Sequence, residues 1–260
     1  MSGDPVTTET MNTQLETLDP PTGGSGAMFD GIAGRYDLLN RLTSFGLDQR
    51  WRRKLVDSLA PAEPQRILDL ATGTADVALA IAARYPEASV VGLDPSANML
   101  ALGGDKVTAA RLGERGELVQ GDAQALPYED DSFDAATISF GIRNVPDRDQ
   151  GLREMARVVR PGGVVSILEL SEPRGLMAPF ARFHVHTVVP TLGALLSGSR
   201  EYRYLSKSIA AFPPAEEFAA QIERAGLSQV EARGMTFGAV HLYTARVPHP
   251  QATEAQEQSA

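Results

Sequence analysis

RILDLATGTAD, residues Arg66 to Asp76, decides how this chain is read. Its apolar run Ile67-Leu68-Asp69-Leu70 has the length of a buried strand. The chain then turns through Ala71-Thr72-Gly73-Thr74-Ala75 into a segment carrying Val77, Leu79, Ala80 and Ile81, which reads as a helix. A strand feeding a glycine-containing turn and then a helix builds a nucleotide-type site. Small residues let a ligand approach the backbone, and the helix N-terminus presents N–H groups with no partner inside the helix.

Small-residue spacing and charge then narrow the ligand. A dinucleotide fingerprint places three small residues as G-x-G-x-x-G/A so that the backbone reaches a pyrophosphate. Gly73, Ala75 and Ala78 give only G-x-A-x-x-A. Asp69 falls near the strand end, where its charge repels phosphate and suits a cationic ligand such as the amino-acid end of S-adenosylmethionine. The next apolar run, Ser89 to Asp94, ends in a carboxylate. Asp94 lies about twenty residues past Gly73, where such a group commonly binds ribose hydroxyls. NAD and S-adenosylmethionine share that contact, so Asp94 alone does not separate them, and a solvated carboxylate is the bland alternative.

Further along, Pro95 to Leu100 reads as a helix start with Ser or Asp available as the cap. Glu117 to Gln120 is a third strand, followed by Asp122 and Ala123. Asp122 is placed to accept a hydrogen bond from an adenine amino group, with a surface turn aspartate as the alternative. Ser132 to Phe140 is a fourth strand and leads into Gly141-Ile142-Arg143-Asn144-Val145. Asp147 to Val159 fits an amphipathic helix, and Arg160-Pro161-Gly162-Gly163 reads as a tight turn into a fifth strand, Val164 to Leu170. This alternation predicts an α/β fold with a parallel sheet covered by helices on both faces. The ligand belongs at the carboxyl ends of the strands, where Gly73, Asp94, Asp122 and Ser139 fall. Pro214 to Ala225 reads as a helix. Ser228 to Met235 and Ala239 to Arg246 are two closing strands joined by Thr236-Phe237-Gly238, a hairpin rather than another crossover. A terminal antiparallel pair on a mostly parallel, Rossmann-like sheet of seven strands favours a class I S-adenosylmethionine-dependent methyltransferase over an NAD domain.

At 260 residues the chain is ample for a substantial core, and its 43% apolar and 22% charged residues are ordinary for a globular protein. The net charge of −9 argues against a general nucleic-acid binder, which needs clustered Lys and Arg. The sequence contains no cysteine, which excludes disulfides, thiolate metal sites and cysteine catalysis. It carries no cationic-then-apolar leader and no uninterrupted apolar stretch of membrane-spanning length, so a cytoplasmic address is expected. Residues 1–27 and 248–260 are polar and read as disordered tails around a methyltransferase domain at 28–247.

Two segments flank the alternating core. Within residues 28–60, Phe29, Ile32, Tyr36, Leu39 and Leu42 form one helical stripe, and Trp51, Leu55, Val56 and Leu59 another. Arg35, Arg41, Arg50, Arg52, Arg53 and Lys54 make a basic cluster there. We read the segment as a helical lid over the cofactor that also touches anionic lipid or substrate, against the alternative of a solvated helix face. Residues 173–211 interrupt the rhythm with many apolar side chains and read as a substrate-pocket insertion. His184 and His186 within it have no acidic third ligand at helical spacing, so no metal is expected.

The chain resembles the menaquinone and ubiquinone biosynthesis C-methyltransferases. Tyr36-Asp37-Leu38-Leu39-Asn40 with Ser44, Gly46 and Trp51-Arg52, the turn Asp69 to Thr74, Phe140 to Asn144, and Arg157 to Gly163 running on to Glu169-Leu170-Ser171-Glu172-Pro173 carry the resemblance. A fifth run, Tyr202 to Leu205 with Ser208-Ile209 and Phe212-Pro213, adds to it, and the match covers about residues 28–246. Two positions depart from the family pattern. Asp48 stands where the family usually has histidine, and Ala75 stands where it usually has glycine. Ala75 is expected to be tolerated if its backbone stays helical, since only a positive φ penalises it.

By this resemblance Gly73, Thr74, Asp94, Asp122, Ala123 and Ser139 bind S-adenosylmethionine, with Asp69 favouring its cationic end and Tyr36 closing the lid. The implied reaction is methyl transfer to a ring carbon of a prenylated hydroquinone, demethylmenaquinol to menaquinol. Arg143 and Asn144 are the candidates for positioning the ring oxygens, with His184, His186, His241 and Tyr202 as candidate proton acceptors. Other readings stay open at this point: a ubiquinone precursor or other phenol as substrate, an NAD-dependent oxidoreductase, and a non-catalytic cofactor-binding subunit of a quinone-biosynthesis complex. Expected partners are the hydroquinone, a second copy in a homodimer, and the inner face of the membrane by peripheral contact.

Overall fold

Strand β1, Arg66–Leu70, lies inside the sheet, and every residue of it after Arg66 is buried. It pairs in parallel with β2, Ser89–Asp94, on one side and β4, Phe133–Ser139, on the other. Strand β3, Gly116–Gln120, continues the sheet beyond β2, and β5, Val159–Leu170, continues it beyond β4. The closing pair, β6 (Ser228–Met235) and β7 (Val240–Arg246), completes the order β3-β2-β1-β4-β5-β7-β6. Strand β7 runs antiparallel to both of its neighbours, so the expected mostly parallel seven-stranded sheet with a terminal antiparallel pair is the observed one. The computed structural model describes residues 34, 37, 41, 43–173 and 199–249, the side chains of 199–203 excepted. The expected tail at 1–27, most of the tail at 248–260, Tyr36, His184, His186, the Tyr202 side chain and residues 174–198 of the insertion lie outside the described residues.

Because β1 is covered on both faces, it reads as a continuous apolar run rather than an alternation. Leu68 and Leu70 enter a layer with Leu152 and Met155 of α4 (Arg148–Val158) and Phe218 and Ile222 of α6 (Ala215–Arg224). Ile67 enters the opposite layer with Trp51, Leu55 and Val56 of α1 (Leu47–Asp57) and Val77 and Ile81 of α2 (Asp76–Arg84). Each fully buried Leu or Ile contributes about 2 kcal/mol of transfer free energy, enough to fix which face each helix covers. Helix α3, Ala97–Ala109, starts at Ser96, whose Oγ accepts from Met99 N at 3.1 Å. Asp147 caps α4 in the same way, accepting from Gln150 N at 2.9 Å. Helix α5, Ser199–Ala211, brings Ile209 into the core, with Phe212 just beyond its end.

One expected boundary is displaced. Arg160-Pro161-Gly162-Gly163 does not precede β5 but swells out of it, since Val159 pairs with Phe133 and Val164 with Ala135. Pro161 has no N–H to give the ladder and Gly162 adopts φ +78, so these residues leave the pairing while the strand continues. The bulge is pinned to the chain beyond β7 by Gly162 N to Val247 O at 2.8 Å and Val247 N to Gly163 O at 3.2 Å.

Candidate active site

The strand order reverses at β1, with β2 and β3 on one side and β4 and β5 on the other, which opens a crevice at the carboxyl ends of these strands. A cavity of about 560 Å³ occupies it, within the range of small-molecule sites. Gly73, Thr74, Asp94, Asp122, Ala123 and Ser139, the residues expected to hold the cofactor, all line this cavity, and Asn144 joins them. Arg143 is not among the lining residues.

The turn after β1 is held from below and from the side. Asp69 accepts from Thr72 Oγ1 and Thr137 Oγ1, both at 2.7 Å. It is 1% exposed and does not line the cavity, which corrects the expectation that its charge faces the cofactor. The reason is strand parity: position 69 shares the α1/α2 face with Ile67 and lies beneath the turn. Burial pushes its carboxyl up to about 6 against the two hydroxyl bonds, which favour the charged form. Asp69 therefore positions Thr72, which does line the cavity. Asp94 accepts from Gly73 N and from Ser96 N, each at 2.9 Å, so it shapes both the turn and the start of α3. Strain gathers here. Ala71 (φ +48) and Phe140 (φ +57), just past the ends of β1 and β4, and Ala75 (φ +66), just ahead of α2, are left-handed. Ala75 thus fails the helical condition under which it would be unstrained. Its methyl is fully buried, and it packs where a Cβ added to Gly103 would stand only 3.2 Å away.

Thr74 Oγ1 donates to Asp37 Oδ1 at 2.7 Å and accepts from Lys106 Nζ at 3.0 Å. Asp122 is capped by Gln124, whose N and Nε2 donate to its Oδ1 at 2.9 and 3.0 Å. Ser139 Oγ is buried and has no hydrogen-bond partner among the described residues. A buried hydroxyl left in this state is costly, and an adenosyl ligand bearing donors and acceptors fits the need. The donor set as a whole suits that group, with carboxylates for hydroxyl and amino hydrogens and apolar Leu93, Met99 and Val145 for a planar base.

The two candidate positioning residues separate. Asn144 Oδ1 accepts from Tyr204 Oη at 3.2 Å, which fixes its amide at the cavity wall. Arg143 is committed elsewhere: Nη1 pairs with the fully buried Glu169 at 2.7 Å and donates to Phe140 O at 2.6 Å. His241 lies on β7 away from the cavity, with Nδ1 2.6 Å from Ser171 Oγ, and burial lowers its pKa. Asp48 is buried and accepts from Ser44 Oγ at 2.9 Å, while its own N–H reaches back to that hydroxyl at 3.4 Å. It secures the start of α1.

Among the polar residues that line the cavity, sequence reasoning missed Arg52, Thr72 and Asp76, and it also missed the Tyr204 that holds Asn144. Arg52 carried a signal: it stands at helical spacing from Leu55, Val56 and Leu59 and so shares their buried face, whereas Arg50 and Arg53 lie outside it. Its Nη1 pairs with Asp76 at 2.7 Å.

Comparisons with known proteins bear on the fold and the family. The model of the ubiE/COQ5 methyltransferase family matches residues 23–246. A ubiquinone/menaquinone biosynthesis C-methyltransferase UbiE of Geobacter sulfurreducens is 47% identical over 219 residues, 84% of this chain and 86% of that protein. A demethylmenaquinone methyltransferase of Thermus thermophilus is also 47% identical over 219 residues, covering 83% of this chain and 98% of that one. Among solved structures, Haemonchus contortus phosphoethanolamine N-methyltransferase 2 in complex with S-adenosyl-L-methionine matches with TM-score 0.55 at 18% identity, covering 74% of this chain and 52% of that chain. The [4+2]-cyclase SpnF matches with TM-score 0.65 at 18% identity over 88% of this chain and 97% of its own, which speaks for the fold alone. With a family model spanning nearly the whole domain and relatives approaching half identity, the chain belongs to the ubiE/COQ5 methyltransferase family.

Proposed function

We propose that this protein transfers the methyl group of S-adenosylmethionine to a ring carbon of a prenylated hydroquinone, with demethylmenaquinol as substrate and menaquinol as product. The observation that carries the reading is one cavity joining Asp94 and the Ser139 hydroxyl, which has no partner among the described residues, to Asn144, whose amide Tyr204 holds in place. Family membership supports methyl transfer in quinone biosynthesis and favours neither the oxidoreductase nor the non-catalytic subunit. The cofactor supplies an electrophilic methyl group on a sulfonium. The reduced ring supplies a carbon that becomes nucleophilic when a hydroxyl loses its proton, whereas the oxidised quinone is itself an electrophile. Opposite charges cancel along the reaction path, so alignment and exclusion of water contribute much of the rate. Asn144 donates its amide N–H to a ring oxygen. Arg143, through Glu169 and Phe140, holds the loop that presents Asn144.

A ubiquinone precursor is the second reading, since the relative from Geobacter sulfurreducens is named for both quinones. Methyl-labelled S-adenosylmethionine decides between them, given to the purified protein with a reduced short-chain demethylmenaquinone, its oxidised form, or a reduced ubiquinone precursor. Label only with the reduced naphthoquinol is the expected result. Label in both reduced samples marks a dual-pathway enzyme, and no label with cofactor binding intact returns the non-catalytic subunit.

The same reading places the protein in the cytoplasm, peripheral to the inner face of the membrane where a prenylated substrate resides. No helix among the described residues is long and apolar enough to cross a membrane. Arg50 and Arg53 on the outer face of α1, with Phe237 64% exposed in the β6–β7 turn, suit contact with anionic lipid. Salt-sensitive cosedimentation with anionic vesicles is expected, and absence of cosedimentation at every ionic strength removes this part. A homodimer through the edge strand β6, whose Glu231 to Gly234 are exposed, belongs to the same proposal and is read by sedimentation equilibrium.

A further inference from the structure

Arg52 is the one cationic side chain among the described residues lining the cavity, which it shares with three carboxylates, Asp76, Asp94 and Asp122. Its side chain is 11% exposed. Of its five N–H donors only Nη1 is paired among the described residues, with Asp76 Oδ2, while Nε is buried and has no partner among them. A buried charged donor left unmade is destabilising, so the position calls for an acceptor in the cavity.

The neighbourhood says which acceptor fits. Asp76 does not need Arg52 alone, because its Oδ1 is also held by Lys106 Nζ at 2.7 Å. Lys106 in turn binds Asp37 at 2.5 Å and Thr74 at 3.0 Å and does not line the cavity. At the turn, Gly73 N is taken by Asp94, and Ala75 N donates to Thr72 O at 2.9 Å. An anionic group entering at this end therefore meets one cation, presented as a planar fork suited to a carboxylate.

We infer that Arg52 binds the carboxylate of the amino-acid end of S-adenosylmethionine, held in register by Asp76. The inference rests on the cofactor reading above and adds a residue and a contact to it. It also makes a helix from the segment ahead of β1 part of the cofactor site.

The test compares S-adenosylmethionine with its decarboxylated analogue, which keeps sulfonium and ammonium and lacks only the carboxylate. Binding of each to the full-length chain is measured by calorimetry for wild type, Arg52→Gln and Arg52→Lys, with thermal melts to establish that each variant folds. Wild type is expected to bind the analogue at least about tenfold more weakly, a difference of about 1.4 kcal/mol. Arg52→Gln is expected to lose at least about tenfold for S-adenosylmethionine and to bind the analogue within about twofold of wild type, erasing the discrimination. Arg52→Lys, keeping the charge but not the fork, falls between. Equal weakening of both ligands in Arg52→Gln, or no discrimination by wild type, overturns the assignment and leaves the cofactor reading standing. Binding of neither ligand by wild type overturns both.

Discussion

Asp69 is ionised or neutral according to a contest between burial, which pushes its carboxyl up to about 6, and the Thr72 and Thr137 hydroxyls, which oppose the shift. A folded-state pKa above the ordinary 3.8 means that Asp69 favours folding most at low pH, and that this contribution is lost as pH rises through about 6. Denaturant melts of wild type and Asp69→Asn between pH 4.5 and 7 should show wild type losing ground relative to the variant as pH rises; a constant difference would mean an ordinary titration. Asp94 behaves differently, because its oxygens already accept from Gly73 N and Ser96 N. Asp94→Ala is expected to weaken S-adenosylmethionine binding at least tenfold, about 1.4 kcal/mol or more, and calorimetry showing unchanged affinity would remove Asp94 from the site. At this scale the strand-end carboxylate at 94 was legible because its position follows from chain direction alone. Whether Asp69 faces ligand or core was not, since that depends on which helices cover each face and on two threonines, one of them 68 residues away.

Elements were legible wherever the rule is local. Ser96 and Asp147 announce helix starts because a side-chain oxygen just ahead of a helix satisfies one of its unpaired N–H groups. Asp147→Ala should therefore cost about 1 kcal/mol of stability while leaving S-adenosylmethionine affinity unchanged, a pairing that melts and calorimetry on one preparation can check. The start of β5 was misplaced because Pro and Gly mark a departure from regular pairing without saying whether the strand resumes on the same neighbour. The basic cluster ahead of β1 divides along the helix surface, with Arg50 and Arg53 outward and Arg52 inward. Composition alone could not make that division; the 3.6-residue period can.

Across the whole molecule, alternation of strand and helix was enough to give the sheet and the end of it that carries the cavity. The pieces of the cavity are nevertheless spread from Arg52 to Pro146, and the parallel pairings of β1 with β2 and β4, and of β2 with β3, bring them together. The last strand in the chain, β7, is not the last in the sheet but stands between β5 and β6. During synthesis, then, β5 is made and waits with one side unpaired until Val240–Arg246 has emerged, and its Val164, Val165, Ile167 and Leu168 are among the most buried residues of the finished protein. A chain ending before Val240 should accumulate in the insoluble fraction, and soluble, monomeric product from that truncation would refute this. For the cell, the interval between translating β5 and translating β7 is the window in which a nascent copy needs a chaperone, and a ribosome stalled there releases a sticky fragment rather than a slower enzyme.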